Sequence, residues 1–202
     1  DRLADDGQKL FGNYGAFGLG VFNGQGTNRV ERNVSLMKVA MATWPFELDG
    51  LGSMFRGQVL ELGGSAMLNR IRPEVRTGGV SGIDYREERL GIHAILYPQP
   101  FGVQAEWVWG QGPQFDTTTR RIVEAPLNGG YVQLTYDLGE TGIGRLRPYG
   151  RWQRYRGGWK AATNAPRLET DEVELGVEWP FMDALELTIA YARMKRREAD
   201  ER

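Results

Sequence analysis

LRPYGRWQRYRGGWKAATNAPRLETDEVELGVEW, residues 146–179, reads as two long strands joined by a polar loop that carries Gly and Pro. In 170–179, Val173, Leu175, Val177 and Trp179 fall on one face, and Glu172, Glu174, Gly176 and Glu178 on the other. In 146–156, Leu146, Pro148, Gly150 and Trp152 alternate with Arg147, Tyr149, Arg151, Gln153 and Tyr155. Period-two alternation is the mark of a strand with two different faces. A strand of a soluble sandwich also alternates. The unusual features here are the length, about ten residues, and the repetition along the chain.

The same reading predicts strands over 14–22, 33–44, 57–68, 86–97, 103–109, 130–138 and 185–195. In 86–97, Leu90, Ile92, Ala94 and Leu96 oppose Arg89, Gly91, His93 and Ile95. In 103–109, Val103, Ala105, Trp107 and Trp109 oppose Gln104, Glu106 and Val108. That makes about nine strands with no helical period between them, so the chain meanders. Short turns at PFELDGLG, PQPFG, GETGIG and PFMDA alternate with longer polar connections at 23–33, 69–84, 110–129 and 157–169. The end, RREADER, reads as a charged tail. Loops long on one side and short on the other belong to an up-and-down membrane barrel. Aromatic residues cluster at both strand ends, as interfacial girdles do. Trp44, Phe46, Tyr97, Phe101, Tyr136, Trp179 and Phe181 are assigned to the short-turn end, and Phe22, Trp107, Trp109, Trp152 and Tyr155 to the other.

Composition agrees. The 202 residues carry 25 Lys and Arg against 26 Asp and Glu, so bulk charge gives nucleic acid no attraction. Mean hydropathy is negative and no apolar run approaches the ~18–20 residues of a membrane helix, yet a barrel strand needs only ~9–11 residues, half of them apolar. Without cysteine, and with His93 as the lone histidine, thiolate chemistry and sulfur or histidine metal clusters are excluded. The first residues, DRLADDGQKLFG, lack the basic start and apolar stretch of a signal peptide. Glu87 and Glu88, flanked by Arg86 and Arg89, read as a solvated salt-bridge cluster rather than an acid–base pair, and His93 as a hydrogen-bonded wall residue. FGLGVFNGQG lacks the Lys-Ser/Thr and following helix of a phosphate loop.

RPYGRWQRYRGGWK, AP, ELGVEW and ALELTIAYARMKRR, together with GAFGLGVFNGQG and FGVQAEWVWGQG…GGYVQLTYDL, resemble the phosphate-selective porin family, porins O and P, over nearly the whole chain. The resemblance implies an all-β, up-and-down antiparallel transmembrane β-barrel of sixteen strands in a trimer, of which residues 1–202 form one segment, strands seven to fifteen, incomplete at both ends. It implies a porin of the bacterial outer membrane, not an enzyme and without cofactors, that passes small anionic solutes such as phosphate by passive diffusion. The expected partners are outer-membrane lipid, those solutes, and either further copies in a homotrimer or other envelope proteins. The pore-lining candidates are Arg147, Tyr149, Arg151, Gln153, Lys160, Glu172, Glu174 and Glu178. Arg151 is the residue most directly carried over and Lys160 matches the family's lysine in the following loop. A guanidinium above a water-filled space can take phosphate bidentately, or it can simply pair with a neighbouring glutamate. Glu61, Glu106, Glu172, Glu174, Glu178 and Glu186 on the polar face against Arg89, Arg147 and Arg151 make this wall more acidic than phosphate selectivity wants, unless Lys160, Arg120 and Arg121 fold inward. A second reading is a structural barrel component of a larger outer-membrane complex without its own selective pore. A third, a soluble sandwich or lipocalin-like module, requires Leu90, Ile92, Ala94, Leu96, Val173, Leu175 and Val177 to be buried in a core.

Overall fold

The computed structural model of the protein describes residues 2–5, 8–9, 14–26, 30–182 and 185–199. Its strands are β1 (Ala16–Asn23), β2 (Leu36–Glu47), β3 (Val59–Ile71), β4 (Tyr85–Leu96), β5 (Phe101–Asp116), β6 (Arg121–Tyr136), β7 (Glu140–Thr141), β8 (Gly144–Arg145), β9 (Arg147–Gly158), β10 (Arg167–Met182) and β11 (Leu185–Ala199). Nine of them form one antiparallel sheet in the order β1-β2-β3-β4-β5-β6-β9-β10-β11, and β7 and β8 make a small hairpin of their own. Every neighbour in the large sheet is also the next long strand in sequence, so the sheet meanders up and down. It is not closed: β1 and β11 each pair on one side. Among the described residues no helix is long and apolar enough to cross a membrane.

The register puts the expected faces together. Trp152 pairs with Val173 and Gly150 with Leu175, while Gln153 pairs with Glu172 and Arg151 with Glu174. The apolar face is the exposed one: Val173, Leu175 and Ile189 are 52%, 61% and 66% exposed. The polar face is the covered one, with Glu172 at 7% and Glu87 at 0%. This inverts a water-soluble sheet, in which each such apolar side chain would gain about 1.5–3 kcal/mol by burial. Phe17, Leu19, Leu90, Ile92, Leu134 and Tyr191 extend the exposed apolar face across the sheet, far beyond scattered surface hydrophobics. The sandwich reading is thereby overturned, because Leu175 and Val177 face away from the covered side instead of a second sheet.

Four local expectations change. Residues 110–129, read as a long loop from their Gly and Pro, instead continue β5 and β6 to a turn at 117–120. Ile122 and Val123 keep the pairing, opposite Phe115 and Gln114. Asp116 accepts hydrogen bonds from Thr118 N at 2.9 Å and Thr119 Oγ1 at 2.7 Å, which closes the turn. The GETGIG turn contains the β7–β8 hairpin. The charged tail remains in strand to Ala199, because its ladder with β10 continues, Arg197 opposite Glu169 and Ala199 opposite Arg167. Residues 200–202, and 183–184 of the PFMDA turn, lie outside the described residues. Finally, Tyr97, Phe22 and Tyr155 leave the girdles for the polar side. Tyr97 donates to Glu61 Oε2 at 3.2 Å, Tyr155 donates to Gly158 O at 2.8 Å, and Phe22 lies over Gly20. Trp44, Phe46, Phe101 and Tyr136 stay exposed with the apolar face, as do Trp109 and Trp152.

Candidate pore wall

The polar face is covered because loops and the N-terminal segment fold over it. The 159–166 loop leaves β9 and carries Lys160 to Glu87 on β4, with β5 and β6 between them in the sheet. At the short-turn end, Leu3 is fully buried against Val59 and Tyr97, and Lys9 Nζ pairs with Glu61. The loop and the N-terminal segment thus lie over the polar face.

On β9 and β10 the sequence candidates come together. Glu174 Oε1 accepts from Tyr149 Oη at 2.7 Å and Oε2 accepts from Arg151 Nη2 at 2.9 Å. Glu172 Oε1 accepts from Gln153 Nε2 at 2.9 Å. Gly176 makes room for this arrangement: a Cβ there would stand 2.6 Å from the Tyr149 ring opposite. Thus Arg151 pairs with a wall carboxylate, the plainer of the two expectations, and its buried Nε has no partner. Arg147 is drawn elsewhere, to Asp137 Oδ2 at 3.3 Å. Glu178 shares the face, opposite Arg147 in the register, with no short hydrogen bond between them.

Two clusters were not anticipated. Glu87 is fully buried, paired with Lys160 and with Arg89 Nη2 at 3.2 Å, and accepts from Asn69 Nδ2 at 2.9 Å. It is not part of a solvated group with Glu88. The parity of β4 held the clue, since Glu87 lies in step with Arg89 and His93. The second cluster joins Glu61 to Lys9, to Thr43 Oγ1 at 2.8 Å and to Tyr97, with Thr43 Oγ1 also 3.2 Å from His93 Nε2. His93 is therefore the hydrogen-bonded wall residue expected of it. At the turn between β5 and β6, Arg120 and Arg121 line a cleft of about 590 Å³ with Arg76, Ser81 and Asn164.

The turn after β6 is closed electrostatically. Burial pushes the Asp137 carboxyl up, but hydrogen bonds from Arg145 and Gly139 N–H, with the Arg145 and Arg147 charges, outweigh it and hold the group below the ordinary carboxylate range. A depressed folded pKa contributes stability above the unfolded value of ~3.9 and loses it as pH falls through the folded one. Trp179 Nε1 donates to Ile143 O at 2.8 Å in this same turn. Acid titration below pH ~4 is expected to release Trp179, read by its fluorescence, and Asp137→Asn to release it already at neutral pH.

A covered polar face behind an exposed apolar one suits a pore-forming sheet, and one comparison decides its kind. The family model described as "phosphate-selective porin O and P" matches residues 7–202. The chain belongs to this porin family. No curated protein and no solved structure matches it. A channel of this family asks for width and charge rather than a reactive centre.

Proposed function

We propose that this chain forms part of the wall of a bacterial outer-membrane porin through which small anions, such as phosphate, diffuse passively down their gradient. The observation that carries the reading is the inverted sheet: exposed Val173, Leu175 and Ile189 on one side, half-buried Arg151 and Gln153 with buried Glu172 on the other. An apolar surface of this extent is stable against hydrocarbon, and unpaired strand edges in lipid cost several kcal/mol per group, so further strands complete the wall. Arg147, Tyr149, Arg151, Gln153, Lys160, Glu172, Glu174 and Glu178 line the channel in this reading, in a trimer or alongside other envelope proteins. Arg76, Arg120 and Arg121 at the mouth raise the local concentration of anions before they meet the mixed wall.

Passive transport needs no covalent step. Arg151, tied to Glu174, offers a passing oxyanion a donor that does not hold it. A site that bound phosphate strongly would slow its exit. The pairing of Arg151, Arg89 and Lys160 with carboxylates also favours a second reading, a structural barrel component without a selective pore.

Planar-bilayer recording separates the two. An anion-preferring current is expected, and Glu174→Gln is expected to raise the anion-to-cation permeability ratio severalfold, because it removes a wall charge and frees Arg151. Absence of current, or a strongly cation-selective one, rejects the anion-porin reading.

A further inference from the structure

The outward face changes character above the tryptophan belt. Trp107 stacks on Trp152 with ring centroids 6.1 Å apart, and Arg154 lies over the Trp107 ring at 5.7 Å. Arg156 next to it pairs with Glu169 at 2.7 Å and Asp171 at 2.8 Å. On β11, Arg193 stands opposite Val173 and Lys195 opposite Asp171, in phase with the exposed Ile189 and Tyr191. A groove of about 260 Å³ runs between them, lined by Trp152, Asp171, Glu172, Val173, Arg193 and Lys195. Among the described residues neither Arg193 nor Lys195 has an ion pair.

These cations do not belong to the channel wall. They share the face of Leu175 and Val177, opposite to Arg151 and Glu174. A charge on the lipid side is costly at the bilayer midplane and nearly free at the interface, so the tryptophans and the first cations above them fix the headgroup level. At that level an exposed cation without a carboxylate partner finds its counter-charge on lipid phosphate. An arginine fork matches two phosphate oxygens, and a neighbouring lysine adds a point charge.

We propose that the groove between β9, β10 and β11 docks the phosphorylated headgroup of an anionic lipid from the surrounding leaflet, held by Arg193 and Lys195 with Arg154 beside them. The inference rests on the membrane reading above. Of the two acids along the groove, Glu172 turns to the opposite face, where Gln153 donates to it, and Asp171 opposes docking while sharing Arg156 with Glu169.

The test uses the full chain in phosphatidylcholine nanodiscs titrated with bisphosphorylated lipid A, with bound lipid counted by native mass spectrometry. R193Q/K195Q is expected to weaken lipid A binding roughly tenfold, R151Q on the channel side to leave it unchanged, and D171N to tighten it about threefold. Equal binding by R193Q/K195Q and the parent, or an equal loss in R151Q, overturns the assignment. So does a D171N protein that binds no tighter. These results would leave channel conductance, and with it the porin reading, untouched. A chain that fails to enter the bilayer overturns both.

Discussion

Leu175→Arg is expected to cost about 2–4 kcal/mol of folded stability in a bilayer and to cut insertion sharply. Leu175 is 61% exposed in the middle of the apolar run on β10, flanked on its face by Val173 and Val177. In water an exposed Leu→Arg change is worth a few tenths of a kcal/mol, within the ±0.5 usual for surface positions. The penalty thus measures the solvent on that face, not packing within the sheet. Glu178→Arg, nearby in sequence but on the polar face, is expected to insert normally and to raise anion preference. Urea titration of the folded chain in vesicles reads both, as a loss of midpoint for Leu175→Arg and none for Glu178→Arg.

Glu87→Ala is expected to have the second largest effect, on stability and conductance together. Glu87 is fully buried and holds Lys160, Arg89 and Asn69. Removing one partner of a buried ion pair costs about 3–5 kcal/mol, but Lys160 is 40% and Arg89 23% exposed, so solvent screening brings the expectation to about 1–3 kcal/mol. The functional sign is opposite. Two cations lose their carboxylate, and the 159–166 loop loses its tie to β4. Anion current is expected to rise severalfold while the midpoint of unfolding falls. Glu87→Gln, which keeps an acceptor for Asn69 but no charge, should show most of the current gain with less of the stability loss. Conductance and denaturation measured on the same preparations check the pair of outcomes.

Faces were legible in the sequence where alternation was uninterrupted. Val173, Leu175 and Val177 against Glu172, Glu174 and Glu178 required only period two, and the register bears it out. The identity of partners was partly legible, since Arg151 and Glu174 share a face on adjacent strands and do pair. Three things were hidden. Gly and Pro in 110–129 imitate a loop, while strand pairing across the sheet overrides that composition. Lys160 meets Glu87 through a contact 73 residues distant in sequence, which no local pattern encodes. Aromatics have two uses, and their type does not choose between them: Trp152 remains at the outer surface, whereas Tyr97 turns inward because Glu61 offers its hydroxyl an acceptor. Parity, applied strictly, would have recovered Tyr97 and Glu87, both in phase with His93 on the covered face.

The absence of cysteine makes the most direct measurement a clean one. Single cysteines introduced one at a time at 172–178, with the chain in lipid vesicles, can be labelled with a fluorophore and exposed to a bilayer-resident quencher and to a water-soluble one. Strict alternation is expected: lipid quenching at 173, 175 and 177, aqueous quenching at 172, 174 and 178. Labels at 175 and 177 shielded from both quenchers, with 174 and 178 open to bulk water, would contradict it.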